Sequence, residues 1–99
     1  MIREGKRPVG SGKDAETIGI DALSFLAGNG ELLTRFLDLT GLTIEQLRTE
    51  ATKPAFFVGL LDFILGHEPT LMDFANAAEL DPAEVALARE RLANRQSAT

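Results

Sequence analysis

Two stretches decide the fold of this chain: ALSFLAGNGELLTRFLDLTGLTIEQLRT at residues 22–49 and LLDFILGHEPTLMDFANAAELDPAEVAL at residues 60–87. At an offset of 38 positions, Leu23 falls on Leu61, Phe25 on Phe63, Gly28 on Gly66, Leu33 on Leu71, Phe36 on Phe74 and Leu42 on Leu80. Each match pairs a core-type residue or a helix-stopping glycine. Helix-start signals align as well: Thr43 falls on Asp81 and Gln46 on Glu84, so both copies spell a capping box at the same place.

Working outward, each copy reads as three short helices. Asp14 caps a first helix with the stripe Ile18, Ala22, Phe25 and Leu26, which stops at Gly28. A second opens at Asn29 or Gly30, turns Leu32, Leu33, Phe36 and Leu37 inward, and ends at Gly41. Thr43 caps a third, with Leu42 and Leu47 as a hydrophobic staple. Pro54 begins the fourth. There Ala55, Gly59, Asp62 and Gly66 gather on one narrow side, and Phe56, Phe57, Val58, Leu60, Leu61, Phe63, Ile64 and Leu65 cover the rest. A helix this apolar is normally central. Pro69 marks the first turn of the fifth, with Leu71, Phe74, Ala75 and Ala78 inward. Asp81, Pro82 and Glu84 start the sixth, which fades through Leu92 into residues 94–99.

The expected architecture is therefore all-α: six short helices in two repeated three-helix units, about 14–52 and 53–94, packed into one small orthogonal bundle. A basic N-terminal tail (1–13) and residues 95–99 are expected to be flexible. The helices over 15–27 and 55–65 should pack together, since neither unit can bury its apolar faces alone.

The 99 residues suit one domain, and 44% hydrophobic with 25% charged residues is ordinary for a globular protein. Without cysteine, disulfides, thiolate metal sites and cysteine nucleophiles are excluded. The net charge of −5 is segregated: residues 14–88 carry 13 acids against only Arg35, Arg48 and Lys53, while both ends are net basic. An acidic body repels phosphates, which disfavours nucleic acid as a partner. The longest apolar stretch, 54–66, is too short to span a membrane and contains Asp62. Asp14, Glu16 and Asp21 interrupt what would be the core of a secretory signal, so the expected location is the cytoplasm.

Catalytic and binding motifs fail on inspection. Gly10-Ser11-Gly12-Lys13 lacks the glycine of a phosphate-binding loop at Arg7, lacks Ser or Thr at Asp14, and follows no strand. His67, with Glu68 and Asp73, does not converge as a metal or acid–base site, and it suits the last carbonyls of the preceding helix. Asp62 is expected to face solvent with Ala55 and Gly59, or else to bond across to a close neighbour. The segment 71–92 has a helix-turn-helix outline, but Asp81 and Glu84 sit where phosphates would, and Arg89, Arg91 and Arg95 come late. No catalytic constellation, metal set or cofactor motif stands out.

At Ala22–Ala27, Glu31–Leu37 and Leu60–Leu65, followed by Phe74 and Leu80-Asp81-Pro82, the chain resembles a family of short bacterial proteins known only as domain of unknown function 3572. The resemblance implies a cytoplasmic helical domain and no particular activity.

These readings point to a non-enzymatic helical module that binds an unidentified protein partner or a second copy through an apolar face of Phe56, Phe57, Leu60, Leu61, Phe63 and Ile64. The motive is the excess of large apolar residues there, with Leu39 and Leu87 lying off the main stripes. The alternative is a small apolar ligand held between the units by Phe25, Phe57, Phe63 and Phe74. A fragment carrying one unit alone should be molten or insoluble, with weak, non-cooperative thermal melting by circular dichroism. A cooperatively folding half would refute the two-unit reading.

Overall fold

Side chains placed to catch free amides start four of the helices. In the computed structural model, which describes residues 13–97, these are α1 (Ala15–Ala27), α2 (Gly30–Thr40), α3 (Ile44–Glu50) and α6 (Pro82–Ser97). Asp14 accepts from the Thr17 amide at 2.8 Å and Asn29 from the Leu32 amide at 3.3 Å. Thr43 and Gln46 close a full capping box at 3.1 and 2.9 Å. The second box is half realised: Glu84 returns to the Asp81 amide at 2.9 Å, while the Asp81 carboxylate takes the Ala83 amide instead of the Glu84 amide. The other two, α4 (Pro54–Leu65) and α5 (Glu68–Ala78), have no side-chain cap and rely on proline in the first turn.

Hydrogen bonds from Thr17 hold the Asp14 carboxyl below the usual carboxylate range. Its contribution to stability is therefore complete at neutral pH and is lost as the pH falls through that lowered value.

The offset of 38 recurs in the backbone. α2 and α5 span 30–40 and 68–78, and α3 and α6 begin at 44 and 82. Asn29 and His67 leave the preceding helices in near-identical extended conformations, φ −133° and −137°. Gly28 and Gly66 end their helices with negative φ, so the extended residue after each makes the break. A left-handed residue closes both α2 and α5, Gly41 at φ 76° in one and Glu79 at φ 58° in the other.

The core is built on α4, which packs most heavily on α6 and also on α1 and α5, while α1 packs on α6. Ile18, Ala22 and Leu26 of α1 meet Phe56, Phe57, Leu60, Leu61 and Ile64 of α4 and Val85, Ala88 and Leu92 of α6 in one buried cluster. Phe36 from α2 and Phe74 from α5 complete it. The approach of α1 to α4 depends on Gly19: a Cβ there would lie 2.8 Å from the Phe57 ring.

Ring contacts join the two halves of the chain. Phe25 of α1 stacks on Phe74 of α5 with centroids 5.5 Å apart, and Phe36 of α2 meets Phe63 of α4 at 5.4 Å. Shifting Phe25 forward and Phe74 back by 38 positions turns the first pair into the second.

The third helices break this correspondence. α6 is 16 residues long and buries Val85, Ala88 and Leu92, whereas the 7-residue α3 has no buried residue and is attached through half-buried Leu42 and Leu47. The end of α6 also differs from expectation. It continues to Ser97 instead of fading near 94, and Arg95 pairs with Glu16 of α1. Residues 1–12, which include most of the expected basic tail and of the Gly10–Lys13 motif, lie outside the described residues, as do 98 and 99.

Two glycine substitutions test this packing in opposite directions. Gly19→Val should cost about 1–3 kcal/mol through overpacking against Phe57. Gly59→Ala, where a Cβ meets nothing within 4 Å, should stabilise α4 by roughly 0.5–1 kcal/mol. Urea denaturation followed by helical circular dichroism measures both.

Candidate functional site

The face expected to dock a partner is the protein's own core. Phe56, Phe57, Leu60, Leu61 and Ile64 are buried, and Phe63 is half-buried against the Phe36 ring. Six helices suffice to cover them because α6 is long and Gly19 admits α1 so closely. The four-phenylalanine pocket does not form either. Phe25 pairs with Phe74, Phe63 with Phe36, and Phe57 with Phe56.

The remaining candidates behave structurally. Asp62 lies exposed beside open Gly59, and it also reaches across to α6, where Arg89 grips it with two bonds of 2.8 and 3.3 Å. The hydrogen bond and charge of Asp62 raise the Arg89 pKa. With Arg95 held by Glu16, two of the three late cations of the helix-turn-helix outline are occupied by the protein's own acids. His67 does not bond the carbonyls of α4 through its ring; Nδ1 instead contacts the buried Thr70 hydroxyl at 2.7 Å. Among the described residues no group of three His, Asp or Glu side chains could hold a metal ion. No single described helix is long and apolar enough to cross a membrane.

Beside the singly exposed Ile20, Met72 and Leu87, two surface features stand out. The first is a cleft of about 420 Å3 between α1 and α5. Its floor is the Phe25–Phe74 ring pair, and its walls include Ser24, Ala77 and Ala78. Lys13 spans one end, donating to Asp21 at 2.8 Å and to the Ala78 carbonyl at 3.0 Å. That second bond satisfies an otherwise orphaned carbonyl at the negative end of α5. Glu79 stands at the rim in the left-handed conformation. Glu79 occupies the position equivalent to Gly41, so the offset of 38 marks it in sequence as a carboxylate on a glycine's backbone.

The second is the corner of α2 and α3. Leu39 is 71% exposed and Ile44 49% exposed. Arg35 lies one turn before Leu39, and Arg48 one turn after Ile44. Both arginines are exposed and make no ion pair among the described residues. Leu39 was marked in sequence by lying off the inner stripe. The exposure of Ile44 was not legible there, because it depends on how loosely α3 attaches.

The chain belongs to the DUF3572 family, described as proteins of unknown function. The match covers residues 12–95, which takes in α1 to α5 and all but the last two residues of α6. No curated protein and no solved structure matches the chain. The family brings no activity with it, so a functional reading rests on the two surface features.

Left-handed backbone at a residue with a Cβ costs about 1 kcal/mol or more. Replacing Glu79 by Gly should therefore stabilise the fold by roughly 0.5–1 kcal/mol despite the added freedom of the unfolded chain. The expected readout is a thermal midpoint raised by a few degrees, with the helical spectrum unchanged.

Proposed function

We propose that the protein is a non-enzymatic helical module that associates with a second copy of itself through the α2–α3 corner. The observation that carries this reading is Leu39 with Ile44, exposed five positions apart across the α2–α3 turn, with α3 burying no residue, and each one turn from an unpaired arginine. Charge favours a second copy at this place. Over residues 14–88 the cations are Arg35, Arg48 and Lys53 alone, all between α2 and the start of α4. The rest of residues 14–88 carries acids alone and repels its like, whereas Glu31, Asp38 and Glu45 interspersed with Arg35 and Arg48 make a mixed-sign, self-complementary surface.

The exchanged ring contacts also support this reading. Phe25 with Phe74 and Phe36 with Phe63 are the pairs that a twofold relation between two copies of a three-helix unit would produce.

Sedimentation velocity between about 1 μM and about 1 mM, which spans weak to moderate association, should show a reversible monomer–dimer equilibrium. Replacing both Leu39 and Ile44 by Glu should abolish the dimer and leave the helical spectrum intact. A native protein that stays monomeric over the whole range, or a double variant that still dimerises, would overturn the proposal.

A further inference from the structure

We propose that the cleft between α1 and α5 binds a small organic cation, with its apolar body on the Phe25 ring and its ammonium group paired to Glu79. Three observations converge on this ligand class. The cleft, at about 420 Å3, falls in the size range of small-molecule sites, roughly 300–1,000 Å3, and it has an aromatic floor with polar groups at its edge.

The charges around it are unequal in availability. Asp21 is paired with Lys13, and the Lys13 ammonium is committed to that carboxylate and to the Ala78 carbonyl. Glu79 makes no ion pair among the described residues. The charge left for a ligand is therefore negative, and a cation over an aromatic floor gains from both the carboxylate and the ring face.

The backbone supplies the third argument. Glu79 is the one described non-glycine residue with positive φ, and the equivalent turn after α2 is made with Gly41. At this turn a glycine would serve the chain better than a glutamate. Strain kept at a cleft rim in exchange for a carboxylate points to use of that carboxylate.

The site is separate from the α2–α3 corner, so either proposal can fail without the other. The test is an amide NMR titration of the full-length protein with phenethylammonium chloride, alongside phenethyl alcohol and sodium phenylacetate. The ammonium compound should give saturable shifts centred on Ser24, Ala77 and Glu79, and the alcohol and the carboxylate should bind more weakly. Glu79→Gln, which keeps the backbone conformation and its cost, should weaken the ammonium compound about threefold to fivefold, the worth of a part-exposed ion pair. Its thermal midpoint should stay at the native value. Absence of saturable shifts, equal binding of the alcohol, or unchanged affinity in Glu79→Gln would each overturn the proposal.

Discussion

The contact between Gly19 and Phe57 is the constraint on which the remaining packing rests. Hydrogen in place of a side chain at Gly19 lets α1 lie against α4 closely enough for the Phe57 ring to fill the gap. That approach brings Ile18, Ala22 and Leu26 onto the apolar side of α4, and it leaves the groove above them for Val85, Ala88 and Leu92 of α6. Three helices thereby share one dry interior, with Phe36 and Phe74 sealing it from two sides. The driving force is ordinary: each large side chain taken fully out of water contributes roughly 1.5–3 kcal/mol. The geometry is specific, because a side chain at position 19 would crowd the Phe57 ring.

Most of the architecture was legible before any coordinate. Capping residues at Asp14, Asn29 and Thr43, the prolines at 54, 69 and 82, and the left-handed Gly41 are local chemistry, and local chemistry sets helix boundaries. The offset of 38 also carried real information, since it relates the ends of α2 and α5 and the paired rings. What could not be read was how the third helix of each copy behaves. The sequences around Thr43 and Asp81 carry the same start signal, but one helix stops after two turns and stays at the surface, while the other runs on to seal the core. That difference comes from tertiary packing, which helix propensity and caps do not encode.

The same gap explains why the expected docking face was misplaced. An excess of large apolar residues on one helix fits both an exposed patch and a central core element. Length decides here: the extra turns of α6, visible only as an alanine- and arginine-rich stretch after Leu87, supply the missing cover. The surface features that survive are modest, a corner with two exposed aliphatic side chains and a cleft with a strained rim. One lies at the loosely held α3, the other at the left-handed Glu79.

The ion pair between Glu16 and Arg95 brings the first turn of α1 beside the last turn of α6. The described chain thus nearly closes on itself, while the short link 51–53 between α3 and α4 runs over the surface. The linear order of the helices is then a property of the gene more than of the fold. A chain opened at that link, with the last turn of α6 joined to the first turn of α1, would present α4, α5 and α6 first and still pack the same core.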